Sequence, residues 1–191
     1  MDKKESFEKD RQRLIEIIRE KSFRVGDFTL VSGKKSKYYV DLKGTSLHAE
    51  GAYLIGKLAV QLFLRDDLPI DAVGGLTLGA DPIATSVSIE SHRYKKDWPA
   101  FIVRKESKGH GTDQYIEGQH NLTPSANLMI VEDVLTTGAS SLKAVQRARD
   151  AGYSPNWIFT VIDRNEGGRE AVAAAGLKLY ALLSVSDLIK S

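Results

Sequence analysis

The chain reads as an α/β protein: a doubly wound, mostly parallel sheet flanked by helices, with a small N-terminal hood over the carboxyl edge of the sheet. Three observations predict it. From Pro69 onward, short apolar runs alternate with helical patterns, and strands alternating with helices form parallel βαβ units. Leu128-Met129-Ile130-Val131 is continuously apolar, as a strand covered on both faces must be. The N-terminal part differs in texture, with aromatic residues flanking a polar turn, which fits two short strands in a hairpin-like excursion. At 191 residues, 42% hydrophobic and 27% charged, the chain suits one domain spanning residues 1–191, with the hood about 1–45 and the core about 46–191.

The elements follow in order. Residues 7–21 carry Leu14, Ile15, Ile17 and Ile18 among charges, an amphipathic helix. Val25, Phe28, Leu30, Tyr38, Tyr39 and Val40 flank the turn Ser32-Gly33-Lys34-Lys35-Ser36. Thr45 or Ser46 is the expected cap of a helix over residues 48–64, with Leu54, Ile55, Leu58, Leu62 and Phe63 inward. Residues 69–73 form a short strand running into Gly74-Gly75. A helix over 79–92 and a strand over 100–104 come next, then a long polar segment over 105–121. The central strand and its helix follow, and Gly152 stops that helix. A strand (157–163), a small-residue helix (168–175), a strand (178–183) and a terminal helix (185–189) complete the pattern.

Composition narrows the function classes. The 27 basic and 25 acidic side chains leave a net charge of +2, so bulk charge offers no argument for a nucleic-acid partner. The absence of cysteine excludes disulfides, thiolate zinc sites and a cysteine nucleophile, and it fits a cytoplasmic home. The N-terminus is too charged for a signal peptide, and no apolar run approaches the length of a membrane span. His48, His92 and His120 are isolated and read as surface or cap residues.

The chemistry concentrates in residues 127–151. Glu132 and Asp133 follow the apolar run, where open α/β sheets bind ligands at the carboxyl ends of their strands. After Val134 and Leu135, the residues Thr136, Thr137, Gly138, Ala139 and Ser140 bring hydroxyls and closely spaced backbone N–H groups to a helix N-terminus, an anion site for a phosphate. Carboxylates beside a phosphate would repel it unless they face ribose hydroxyls or a hydrated Mg²⁺. An acidic strand end and a Thr or Ser cap also occur as plain structure. A dinucleotide or P-loop reading fails, because neither G-x-G-x-x-G nor G-x-x-x-x-G-K-[ST] is present.

Three further groups stand out. Glycines 74 and 75 let backbone N–H groups approach a pyrophosphate, or else simply start a helix. The segment 105–121 is longer than the ~12–15 residues usual for structureless loops and clusters Arg104, Lys105, Lys108 and His110, as a lid over a polyanion would or as a solvated surface loop would. Arg164 at the end of a strand can give paired hydrogen bonds to a planar carboxylate or imide-like edge, or form a salt bridge with Asp163 or Glu166.

Residues 128–140 resemble the phosphoribosyl-pyrophosphate (PRPP) signature of the type I phosphoribosyltransferases, four hydrophobic residues followed by [DE]-D-x-x-x-T-G-x-[ST]. The string RKESKGHGTDQYIEG (104–118) resembles the catalytic loop of the orotate phosphoribosyltransferase family, and FTLVSGKKSKYYVD (28–41) resembles its hood. The resemblance runs from Phe28 to about Gly168. It implies the type I phosphoribosyltransferase fold and transfer of the 5-phosphoribosyl group from PRPP to orotate, giving orotidine 5′-monophosphate and pyrophosphate in pyrimidine biosynthesis.

It also implies residue roles. Glycines 74 and 75, Arg104, Lys105, Lys108, His110 and residues 132–140 would hold PRPP. Thr136, Arg164 and Tyr39 would hold orotate, with Tyr39 the stacking candidate and Tyr38 read as a buried structural aromatic. Lys108, His110 and Asp133 would be catalytic. Mg²⁺ would be held mainly by PRPP and water, and a homodimer would share its lid residues between subunits. Two positions depart from some family members: Val31 replaces a lysine, and Leu78-Gly79 replaces a Tyr-Lys pair. The alternatives are a phosphoribosyltransferase for another base, or a non-catalytic nucleotide-sensing regulator on the same fold.

Overall fold

The computed structural model describes residues 3–29, 35–107 and 115–189. Along the chain these form α1 (Lys3–Lys21), β1 (Phe23–Thr29), β2 (Lys35–Val40), α2 (Lys43–Ser46), α3 (Ala49–Arg65), β3 (Ala72–Leu76) and α4 (Ala80–Arg93). Then come β4 (Ala100–Val103), β5 (Ile116–Glu117), a 3₁₀ turn (Gln119–Asn121), β6 (Asn127–Leu135), α5 (Ala139–Asp150), β7 (Ser154–Asp163), α6 (Gly168–Ala174), β8 (Lys178–Ser184) and α7 (Val185–Ile189). The main sheet has six strands in the order β5-β4-β3-β6-β7-β8. All its pairings are parallel except β5, which joins the edge antiparallel to β4.

The continuous apolar run of β6 is explained by what covers it. Met129 and Val131, with Val73, Phe159 and Val161, pack toward α1, α3 and α4 around Leu14, Ile18, Leu58 and Phe63. Leu128 and Ile130, with Ala72 and Ile158, face the opposite layer, where Ala144, Val145 and Ala148 of α5 and Val172 of α6 close over them. Successive strand residues therefore enter different cores, and neither face tolerates a polar residue. Phe63 meets Phe159 edge-on at a centroid distance of 5.2 Å, an arrangement contributing ~0.5–1.5 kcal/mol beyond its buried area.

The hood is the antiparallel pair β1–β2. Within it, Phe23 of β1 stacks on Tyr38 of β2 at 5.7 Å. The Tyr38 hydroxyl donates to Glu166 Oε1 at 3.3 Å, just past the end of β7, so the hood lies over the carboxyl edge as the sequence predicts.

Several boundaries differ from expectation. The central strand runs to Leu135, so Glu132 and Asp133 lie inside it. Its neighbour β7 continues alongside, pairing Glu132 with Thr160 and Leu135 with Asp163, and the ladder holds the backbone extended whatever the side chains. Gly74 and Gly75 likewise lie within β3 rather than in a loop after it. A Cβ at Gly74 would come 2.2 Å from the Phe101 carbonyl oxygen, and one at Gly75 would come 2.0 Å from that of Val131, so close strand packing requires both glycines. The cap of α3 is His48, whose ring accepts from Gly51 N at 3.4 Å; Thr45 and Ser46 are buried in α2. The polar segment 105–121 contains β5 and the 3₁₀ turn, so it is not structureless throughout. Most of the turn between the hood strands, Val31 and Lys34 included, lies outside the described residues, as do Lys108 and His110. Among the described residues no helix is long and apolar enough to cross a membrane.

Candidate active site

The parallel strands taken in sheet order, β4-β3-β6-β7-β8, reverse direction of winding between β3 and β6. Connections leave these two strands toward opposite faces, which opens a crevice at their carboxyl ends. Thr77, Leu78 and Gly79 form one wall of it and Asp133 the other. They approach so closely that a Cβ on Gly79 would fall 2.5 Å from the Asp133 carboxylate. The wall after β3 is braced by Thr77 Oγ1, which donates to Asp81 Oδ2 at 2.6 Å. The Thr77–Leu78 peptide is cis. Asp81 Oδ1 is buried with no hydrogen-bond partner among the described residues.

On the β6 side, Asp133 Oδ1 accepts from the Val134 amide at 2.8 Å. Glu132 points toward α5, where the buried Ser141 hydroxyl donates to its Oε2 at 2.6 Å. Burial pushes Glu132 up to about 7; the Ser141 hydrogen bond opposes the rise and the adjacent Asp133 charge adds to it. The pair therefore carries less than its full charge near neutrality. The chain then turns through Thr136 and Thr137 to Gly138, whose φ of 82° is the left-handed conformation that glycine adopts without strain. Gly138 caps α5 with no side-chain hydrogen bond, so the N–H groups of Ala139 and Ser140 open into the crevice beside an exposed Thr137. Aligned donors at the start of a helix favour an anion by ~0.3–1 kcal/mol, and up to ~2 when partly buried.

Past the end of β7 the structure builds a second cluster. Arg164 is 7% exposed. Its Nε donates to Glu166 Oε1 at 2.8 Å, and its guanidinium lies 4.9 Å from the Tyr38 ring centroid. Nη2 lies 2.8 Å from the same carboxylate oxygen, yet it is buried without a hydrogen bond among the described residues. The guanidinium thus keeps donor capacity for a planar acceptor. Burial raises the Tyr38 hydroxyl above its ordinary value and the Arg164 charge opposes this, so Tyr38 stays a neutral donor. Asp163, 1% exposed, fixes the turn by accepting from the Asn165 amide and from Arg169.

The expected site residues divide in two. Glu132, Asp133, Thr136, Thr137, Gly138, Ala139 and Ser140 converge on the crevice; Arg164 stands one strand over. Tyr39 does not join Arg164: it is 43% exposed and packs against Phe28 at 5.6 Å, while Tyr38 on the other face of β2 makes the contact. Arg104 sits at the base of the loop after β4, its Nη1 3.0 Å from Glu117 Oε1, and Lys105 is exposed. Sequence reasoning missed Ser141, Glu166 as a partner of Tyr38, and Lys43. Lys43 is exposed and held above the ordinary lysine value first by its bond to Asp41, against burial, with the Asp133 charge a smaller contribution. Only Glu166 had been named as a possible partner for Arg164; pattern gives no signal for the others.

A cavity of about 710 Å³ between the start of α1 and the end of α3 is mainly apolar, lined by Phe7, Leu62, Leu64, Arg65 and Tyr94, and lies apart from these groups.

No family model matches the chain. A curated relative from Thermosynechococcus vestitus, an orotate phosphoribosyltransferase, is 46% identical over 184 residues, covering 96% of this chain and 95% of its own length. The solved orotate phosphoribosyltransferase of Mycobacterium tuberculosis H37Rv in complex with Fe(III) dicitrate superposes with a TM-score of 0.82 at 40% identity, over 95% of this chain and 99% of that one. The same enzyme solved in complex with PRPP gives a TM-score of 0.73 at 37% identity, over 94% and 98%.

Proposed function

The chain belongs to the orotate phosphoribosyltransferase family, and we infer that it carries that family's reaction. It transfers the 5-phosphoribosyl group from PRPP to orotate, giving orotidine 5′-monophosphate and pyrophosphate. One observation supports this reading most directly: at the sheet's switch point a helix N-terminus without a side-chain cap and a pair of carboxylates share one crevice, the complement of a phosphate joined to a diol.

We propose the following residue roles, those of Lys108 and His110 resting on the family resemblance alone. The backbone and hydroxyls of residues 136–140 hold the 5-phosphate, and Val134 and Leu135 set the strand end that aims them. Glu132 and Asp133 accept from the ribose hydroxyls, with Asp133 placed to stabilise the developing positive charge on the sugar. Gly74 and Gly75 permit the close approach of β3 to β6, and the Thr77–Gly79 turn they lead into faces the diphosphate. Arg164 takes the orotate carboxylate or imide edge, with Thr136 in the turn just past the end of the neighbouring strand β6. Tyr38 replaces Tyr39 as the aromatic neighbour. Arg104, Lys105, Lys108 and His110 meet the pyrophosphate.

The bond from the anomeric carbon to the pyrophosphate oxygen breaks, the pair leaves with oxygen, and the orotate ring nitrogen, which readily gives up its proton to water, supplies the pair for the new C–N bond. The transition state is oxocarbenium-like, so the protein's task is to place charge and exclude water. Mg²⁺ fits the donor set. It would be held mainly by PRPP and water, with no direct protein ligand assigned, as suits an ion that keeps several waters and binds through substrate phosphates. When bound, it neutralises charge on the pyrophosphate. The reading includes a homodimer whose loops serve the neighbouring site, and a cytoplasmic enzyme.

The test is loss of orotate absorbance on adding PRPP and Mg²⁺ to folded protein. No change sinks the reading; equal turnover with uracil or a purine redirects it to another base.

A further inference from the structure

The loop joining β4 to β5 is held at both of its ends by one side chain from a helix on the sheet's face. Arg147, half-buried on α5, donates through Nη1 to the Arg104 carbonyl and through Nη2 to the Lys105 carbonyl at 2.8 Å. The same guanidinium lies over the Tyr115 ring with its carbon 4.0 Å from the centroid. Arg104 and Lys105 are the first residues to leave β4, and Tyr115 is the last before β5. The neck is closed further by the Arg104 amide, which donates to the Tyr115 carbonyl at 2.7 Å.

These contacts are specific to a planar, multidonor cation. Carbonyls beyond the end of a strand have lost their ladder partners, and a guanidinium can serve two of them while its face stacks on a ring; an ammonium cannot. The described partners of Arg147 are two carbonyls and a ring, with no carboxylate, so its role is not the neutralisation of a surface charge. Its place on α5 matters equally. The helix begins at Ala139, beside the phosphate-binding turn, and Arg147 lies eight residues on, a rise of about 12 Å. One rigid element therefore carries the proposed phosphate donors at its start and grips the loop two turns later.

We propose that Arg147 is a positioning residue for the phosphoribosyl transfer. It fixes Arg104, Lys105 and Tyr115 relative to α5, so that the Arg104 and Lys105 cations register on the pyrophosphate of a PRPP whose 5-phosphate rests on that helix. The inference rests on the reading given under Proposed function. Arg147 touches no reacting atom, so its loss acts on turnover through geometry, and misplacement by about 1 Å can cost on the order of 100-fold.

The experiment compares wild type, Arg147→Met, Arg147→Lys and Tyr115→Leu. Arg147→Met keeps the stem that packs on α5 and removes the donors. The expected result is a fall in kcat of about tenfold or more, with the KM for orotate within about twofold of wild type. A lysine-specific protease should cut after Lys105, whose carbonyl Arg147 holds, several-fold faster, at unchanged Tm. Arg147→Lys, able to reach one carbonyl, should recover part of the turnover. Tyr115→Leu should cost less, and the double variant should be no worse than Arg147→Met alone. Wild-type kcat with an unchanged cleavage rate in Arg147→Met overturns the proposal. So does a loss of activity that follows a lowered Tm without rescue by lysine. The protease readout needs no turnover: an inactive wild type whose loop still responds to Arg147→Met would refute the assigned reaction and leave the grip standing.

Discussion

Between β6 and α5, the two carboxylates and the turn proposed to face the phosphate fall within residues 132–140 of one continuous strand, loop and helix start. The other side of the cleft is assembled at a distance: the Tyr38 hydroxyl reaches Glu166 across 128 positions of sequence, with Arg164 between them. The first region is held by a buried parallel ladder and cores on both faces. The second depends on how a two-stranded hood docks onto a turn. Contiguous chemistry is fixed by backbone geometry alone, so substitutions there should strike the reaction itself. Chemistry assembled by docking should fail in recognition first, leaving the sugar-phosphate side intact.

The largest effect should come from Asp133→Asn. It preserves size and the close approach to Gly79 but removes the charge proposed to face the ribose. Turnover should fall by about 100-fold, the scale of losing one preorganised electrostatic contact, and PRPP affinity should weaken while orotate recognition holds. Steady-state kinetics with each substrate varied in turn decide it; unaltered PRPP affinity would remove the ribose role.

Arg164→Lys tests the opposite side. A lysine keeps the charge but loses the paired, planar donors. Forfeiting one charge-assisted hydrogen bond of ~1.5–3 kcal/mol corresponds to roughly a 10- to 100-fold rise in the KM for orotate, with PRPP affinity unchanged. A rise in the PRPP KM of the same size would show that the two halves of the cleft are coupled rather than separable.

Glu132→Gln sharpens the comparison through pH. A carboxyl raised from 4.5 to about 7 binds its proton more tightly in the folded chain than in the unfolded one. The stability it contributes is therefore fully present below about 4.5 and is lost as pH rises through about 7. Glutamine is neutral throughout, so this slope should vanish. Urea denaturation at pH 5 and pH 8 should show a difference smaller in the variant than in wild type by about 2–3 kcal/mol, a tenfold change in the unfolding equilibrium for each pH unit over which only the folded chain holds the proton. Identical pH dependence in the two proteins would mean that burial does not hold the proton on Glu132. Because Ser141 opposes the rise, Ser141→Ala should move the midpoint further up.

How much of this was legible in advance follows the same division. The strand, the acidic pair and the small-residue turn of residues 128–140 announce themselves, because each residue type states a local requirement: burial, charge, hydroxyl, free backbone. The β7 and β8 strands and the helix between them are legible for the same reason. What escaped was set by neighbours in space. β6 runs on through Glu132 because β7 lies beside it, which no property of Glu132 reveals. Gly74 and Gly75 look like a loop but are strand residues, crowded by the Phe101 and Val131 carbonyls. Ser141 reads as an ordinary first-turn serine until burial and the Glu132 contact give it a task.

Tyr38 and Tyr39 pose that problem most sharply, and they supply the smallest and cleanest test. Adjacent residues on a strand face opposite ways, so only one of them can meet Arg164, and composition cannot say which. The structure places Tyr38 there, with its ring under the guanidinium and its hydroxyl on Glu166, and turns Tyr39 toward Phe28. Removing one hydroxyl costs ~0.5–1.5 kcal/mol where a hydrogen bond is lost. Tyr38→Phe should therefore raise the KM for orotate by about fivefold, because Glu166 loses a donor and draws more strongly on Arg164, while the ring contact survives. Tyr39→Phe should change neither constant measurably. Tyr38→Leu, which also removes the ring, should cost more than Tyr38→Phe through loss of the cation–π contact, ~0.5–2 kcal/mol. The reverse ranking of the two phenylalanine variants would put Tyr39 against the base and would mean that the hood docks in the other register when substrate is bound.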